Sequence, residues 1–200
     1  QQALRRSGKT RFVGHESLES PRGKVTALIQ DQKLVDSVPA GVEAEVVLDQ
    51  TPMFAESGGQ VGDRGALFTQ GGEDQVADVL TTYTALPGLS VHKVKTLAGI
   101  QVGDLLSAQV DGESRHSIMR NHTATHLLHA ALRQALGSHV KQAGSVVEPG
   151  RLRFDFTHYT GMDADEIAEV QRLVNQQIVS NKEVATAVMD LDDAVATGAM

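Results

Sequence analysis

The sequence predicts an α+β fold with an all-β part: a small β-barrel subdomain over residues 1–110, then an α+β core over 111–200 in which a long helix packs on an antiparallel sheet. Two observations carry this. Short β-prone runs broken by Gly, Pro and Asp fill the stretch up to Val110, and after Asp111 the apolar period changes to steps of three and four. There is no internal repeat and no low-complexity linker to suggest an array.

The opening, Gln1 to Arg11, is polar and basic and reads as the tail of a preceding helix. Strands are expected at Lys24–Gln30, Glu43–Leu48, Ala66–Thr69, Val76–Thr82, Val91–Thr96 and Leu105–Val110. Glycines at 41, 65, 71, 72, 88, 99 and 103 punctuate them, a rhythm that fits a small closed barrel better than an open sheet. Ile118, Met119, His122, His126, Leu127, Ala131 and Leu132 then recur at helical spacing up to Gly137, a helix stop. A Glu148-Pro149-Gly150 turn precedes a hairpin strand with Leu152, Phe154 and Phe156 on one face and Arg153 and Asp155 on the other. A second helix starts near Asp163, where Glu166 completes a capping box, and its apolar stripe is Ile167, Val170, Val174 and Ile178. Glu183–Met189 reads as one more strand, and both chain ends have the texture of a fragment.

Composition narrows the function. At 40% hydrophobic residues the chain can bury one large core or two small ones. Apolar runs fall short of the roughly 18–20 residues a membrane helix needs, so a soluble, cytoplasmic protein is expected, with no membrane partner. No cysteine is present, which excludes disulfides and any thiolate-ligated metal built from these residues alone. A net charge of -7 argues against bulk electrostatic nucleic-acid binding, so any contact with RNA must be local.

His122 and His126 stand four apart, which on a helix places both imidazoles on one face, one turn from each other. Such a pair can grip a metal ion, although among eight histidines the spacing can also arise by accident. Threonines occupy the interval where a metalloprotease helix needs Glu, so that class is set aside. His129 is a further donor by position, or simply a helix-surface residue.

The run Arg120-Asn121-His122-Thr123-Ala124-Thr125-His126-Leu127-Leu128-His129-Ala130-Ala131-Leu132 is followed by Val140–Ser145 and Leu152–Phe156. Together these closely resemble the editing core of alanyl-tRNA synthetases. Free-standing alanyl-tRNA editing proteins and the threonyl-tRNA synthetase editing domain share the spaced histidines. Pro52–Asp63, with Gly58-Gly59-Gln60 inside it, resembles the glycine-rich segment that precedes that core. The similarity runs from about Phe12 to Met200.

The resemblance implies hydrolysis of the ester in mischarged Ser-tRNA(Ala) or Gly-tRNA(Ala), within a parent enzyme that attaches alanine to tRNA(Ala) using ATP. It implies zinc on His122 and His126, with a Cys and a His as the remaining ligands. This sequence has neither downstream, so they are expected beyond Met200, and weak or absent metal binding and little hydrolysis are expected of these residues alone. Thr125 is the candidate to sense the serine hydroxyl, or else it bonds back to its own helix. Gln142 matches a glutamine near the substrate. Gly58, Gly59 and Gln60 could bring backbone amides to the terminal adenosine, although they fit a tight barrel turn equally well. Arg120 is expected at the substrate, and Arg115, Arg120, Arg133, Lys141, Arg151 and Arg153 either meet the phosphates of the tRNA(Ala) acceptor end or form an ordinary solvated surface. The partners implied are that tRNA and the remainder of the parent synthetase. Two other classes stay open, a free-standing trans-editing deacylase and a non-catalytic tRNA-binding module.

Overall fold

The computed structural model describes residues 8–183, 185 and 187–198. The all-β part comprises β1 (Arg11–Phe12), β2 (Glu19–Gln30), β3 (Lys33–Val35), β4 (Ser37–Val38), β5 (Glu43–Leu48), β6 (Gln50–Thr51), β7 (Gly65–Thr69), β8 (Gln75–Leu86), β9 (Leu89–Thr96), β10 (Ile100–Gln101) and β11 (Leu105–Val110). Six of these close an antiparallel barrel in the order β2, β5, β9, β8, β7, β11, with β3 added along β2. Closure depends on β2. Its first half, from Glu19 to Lys24, pairs with β11, while Val25–Ile29 pairs with β5, so one long strand bends from one neighbour to the other. A register shift in each ladder accommodates the bend.

Val25, Leu28, Val46, Leu48, Met53, Leu67, Val94 and Ile100 are completely enclosed inside the barrel. Burying each large aliphatic side chain stabilises the fold by roughly 1.5–3 kcal/mol. β5 and β11 have the predicted bounds, whereas β2 begins earlier and β8 runs later than their apolar runs suggest. The expected helix tail is corrected at its end: Arg11–Phe12 pairs in parallel with Gln50–Thr51, and residues 1–7 lie outside the described residues.

The second half holds α1 (Gly112–Leu136), β12 (Gln142–Val147), β13 (Leu152–Phe156), α2 (Ala164–Ser180) and α3 (Leu191–Ala196). Asp111 caps α1 by accepting from the Ser114 amide at 3.0 Å, and Gly137 ends it. β12 and β13 form an antiparallel hairpin, and α1 and α2 pack with it around Leu132, Val140, Val170, Leu173, Phe154 and Phe156. The predicted capping box is present, Asp163 accepting from the Glu166 amide at 2.8 Å and Glu166 from the Asp163 amide at 3.0 Å.

Two expectations need correction here. The buried stripe of α2 is Val170 and Leu173 rather than the wider predicted one, since Ile167 and Ile178 are each more than half exposed. Of Glu183–Met189, residues 183, 185 and 187–189 form no strand, and 184 and 186 lie outside the described residues. A β-prone run becomes a strand only where a neighbour completes its ladder, and none of the described residues supplies one. No helix among the described residues is long and apolar enough to cross a membrane.

Candidate functional site

The site forms where the barrel meets α1. One turn into that helix, Arg115 is buried against Asp63, its Nε donating to both carboxylate oxygens at 3.0 Å. The rest of the guanidinium donates to the carbonyls of Pro52 at 2.9 Å and Gly14 at 3.1 Å. Asp63 in turn accepts from the Phe54 amide at 2.6 Å. This fork fixes the start of α1 against the segment that carries the glycines.

Within that segment, Ser57 and Gln60 exchange backbone hydrogen bonds of 3.2 and 3.0 Å across Gly58 and Gly59, both at positive φ. The tight turn weighed in the sequence is therefore real, and it docks on the hairpin. Val147 donates to the Gly59 carbonyl at 2.8 Å, and Val61 donates to the Val147 carbonyl at 3.1 Å. Gly59 lies so close to Ser145 that a Cβ there would stand 2.4 Å from its carbonyl oxygen. Only glycine fits such an approach.

Docking carries Gln60 inward to 8% exposure, where its Oε1 lies 2.6 Å from His122 Nδ1. An amide oxygen can only accept, so Nδ1 carries the proton and Nε2 keeps its lone pair. Burial lowers the His122 pKa, and the neighbouring His126 lowers it further, which favours the neutral ring. The His126 ring stacks on that of His122, centroids 5.1 Å apart at 16°, and is exposed. The pair thus forms the expected shared face, beside the glycine-rich turn. A cleft of about 330 Å³, lined in part by Phe12, Phe54, His116 and Met119, shares Gln60 as a wall.

Zinc takes four protein donors at a structural site, and three with a water or substrate in the fourth position at a catalytic one. Among the described residues no group of three His, Cys, Asp or Glu is placed to hold a metal. His122, with its proton held on Nδ1, could ligate a metal through Nε2, and the His126 ring stacks beside it. His129 is not a third: it tilts against Phe154, centroids 5.1 Å apart, with Nε2 buried and unpartnered.

The remaining candidates fall in different places. Thr125 is buried, and its hydroxyl donates to the Asn121 carbonyl at 2.8 Å, the back-bonded alternative. Gln142 is exposed and donates to Ser145 Oγ at 3.1 Å, which connects it to the residue beneath Gly59. Arg120 is exposed and donates to Ser117 Oγ at 2.8 Å. Gly58 and Gly59 are exposed at the turn.

The expected basic cluster is corrected. Arg115 is a buried clamp, Arg151 pairs with Glu148 and Arg153 with Asp155, and Arg133 donates to the Val140 carbonyl at 3.3 Å. Only Arg120 and Lys141 of the six present an exposed cation with no acidic or carbonyl partner among the described residues. Sequence reasoning missed Asp63 and Asn121. The latter donates to the carbonyls of Glu148 at 2.7 Å and Pro149 at 3.3 Å and so ties the hairpin turn to α1 just before His122. Both residues lie inside the recognised segments, and that was their only signal.

The family of class II (A) tRNA synthetases matches residues 1–114, more than half of the chain, and the chain belongs to that family. The similarity to individual proteins extends past the histidines: the chain is 56% identical to alanine–tRNA ligase of Solibacter usitatus over 199 residues, 100% of this chain and 22% of that protein. The alanine–tRNA ligases of Bordetella parapertussis and Shewanella amazonensis are 49% and 48% identical over 96% and 99% of this chain, again matching 22% of their own length. The chain thus spans about a fifth of the curated relatives it matches.

Proposed function

We propose that this region is the editing site of an alanine–tRNA ligase, hydrolysing the ester of mischarged Ser-tRNA(Ala) or Gly-tRNA(Ala) in the cytoplasm, while the parent enzyme attaches alanine to tRNA(Ala) with ATP. The observation that carries the reading is the Gln60–His122 hydrogen bond, which joins the glycine-rich turn to the histidine pair. The alanine–tRNA ligase relatives support the parent activity.

In this reading Gln60 holds the His122 proton on Nδ1 and so leaves Nε2 free to ligate a metal beside the ester, with His126 next to it. Zinc, when held by these two rings and further ligands, would polarise the ester or acidify a bound water. The Thr125 hydroxyl keeps its proton on the Asn121 carbonyl, so its lone pairs are left to accept from a serine hydroxyl. Alanine has no such donor, and a site built around a hydrogen bond discriminates more sharply than an apolar pocket. Exposed Arg120 meets acceptor-end phosphates, and Gln142 stands near the substrate through Ser145.

Deacylation of radiolabelled Ser-tRNA(Ala) by a full-length synthetase carrying this region tests the proposal. His122→Ala should slow serine release by roughly a hundredfold, on the scale of losing a ligand or a proton acceptor. Thr125→Val should slow release of serine more than of glycine. Release unchanged by His122→Ala would leave a non-catalytic tRNA-binding module as the better reading.

A further inference from the structure

At the far end of α1 from the histidine pair, roughly 20 Å along the helix axis by its rise per residue, a second ring cluster stands at the open end of the hairpin. His139 stacks on Tyr159, centroids 4.5 Å apart at 25°, and His139 Nε2 lies 2.9 Å from His158 Nδ1. Tyr159 is 83% exposed, so one ring face rests on His139 while the other is open to solvent. The backbone beneath is stitched in place: Thr157 donates to the Lys141 carbonyl at 3.0 Å, and the Lys141 amide donates to Thr157 Oγ1 at 3.3 Å.

We infer that this cluster is a stacking platform for one unpaired base of single-stranded RNA, the Tyr159 ring taking the base and Lys141 the adjacent phosphate. A flat π-face accepts any base, and the pre-stacked rings lose little conformational freedom on binding. The rim favours RNA over an apolar protein partner. Lys141, bonded through its backbone to Thr157, and Thr157 and Thr160, which flank Tyr159 in the sequence, are exposed and polar, and no acidic side chain pairs with Lys141 among the described residues. The acidic total, -7, confines attraction of phosphate to local spots of this kind. Gln142 and Ser145 follow Lys141 along β12 toward Gly59, a path an RNA strand can follow between platform and turn. The platform is independent of ester hydrolysis, and either can fail without the other.

Binding of end-labelled hexamers of A or U, and of a short RNA duplex, to this chain at low salt is the test. The A hexamer should bind more tightly than the U hexamer, and both more tightly than duplex. Tyr159→Ala should weaken A-hexamer binding roughly tenfold or more, the scale of one lost base stack, while Tyr159→Phe stays within about twofold by the same criterion. The chain contains no tryptophan, so Tyr159→Trp adds a sole indole whose emission the stacked base should quench. The proposal is overturned by absent wild-type binding, by equal binding of duplex, by an unaffected alanine variant, by a phenylalanine variant as weak as alanine, or by an unquenched indole.

Discussion

His92 shows how much a single ring can reveal about its surroundings. It is wholly enclosed in the barrel, Nδ1 donating to the Val46 carbonyl at 3.0 Å and Nε2 2.8 Å from Thr51 Oγ1. Thr51 Oγ1 already accepts from the Met53 amide at 3.1 Å, so its proton is directed to Nε2 and the neutral ring is fully satisfied. Burial therefore pushes the His92 pKa down from 6.5 to about 4, with the Val46 contact opposing weakly. The unfolded chain takes up a proton near pH 6.5 that the folded chain refuses. Stability is accordingly complete above pH 6.5 and falls as pH drops toward 4, by about 3 kcal/mol for a shift of this size. Urea unfolding of wild type and His92→Gln at pH 8 and pH 4.5 isolates this contribution. The fall should be smaller in the variant by most of that amount, and equal falls would assign the acid sensitivity to other groups. His122 moves in the same direction at the protein surface, which keeps it neutral at physiological pH. In the sequence these were two of eight histidines with nothing to distinguish an enclosed ring from an open one.

Elements were legible in proportion to how locally they are determined. α1 and α2 announce themselves through Asp111, Gly137 and the Asp163/Glu166 capping box, all interactions within one turn of chain. The glycine-rich turn is different: its conformation is local, but its docking on β12 is a contact across the fold that no period encodes. Gly58 and Gly59 separate the two effects. Both sit at positive φ, 61° and 84°, where alanine costs about 1 kcal/mol. Nothing lies within 4 Å of a Cβ at Gly58, whereas one at Gly59 would strike the Ser145 backbone. Gly59→Ala should therefore destabilise by roughly 1–3 kcal/mol more than Gly58→Ala in matched urea titrations, the scale of an overpacked site. Equal costs would mean that the turn is not seated on the hairpin. The misread elements failed for the same non-local reason. Ile167 and Ile178 have helical spacing but stand outside the contact with α1 and the hairpin, and the run 183–189 has the composition of a strand without a neighbour.

At the scale of the molecule, the question is what keeps a barrel and an α+β core in register closely enough for Gln60 to reach His122. The histidine pair and the glycine segment were each recognisable in the sequence, but their meeting depends on Asp63 and Arg115, 52 residues apart and both nearly inaccessible. A buried ion pair gains little over an apolar pair of the same shape, yet removing one partner strands a charge and costs about 3–5 kcal/mol. Asp63→Ala should lower the unfolding free energy by that order. Arg115→Lys should also destabilise, because an ammonium keeps the charge but cannot fork to the carboxylate while reaching the Pro52 and Gly14 carbonyls. Asp63→Leu combined with Arg115→Met should recover part of the loss, since no charge then remains buried, although the two carbonyls stay unpaired. The clamp also makes a positional prediction. In Asp63→Ala, NMR titration of His122 should show its pKa rising toward the ordinary histidine value, because a loosened turn exposes the ring and withdraws the burial that lowers it. A variant destabilised as expected but with an unmoved His122 titration would show that Asp63 and Arg115 hold the two halves together without aligning the site.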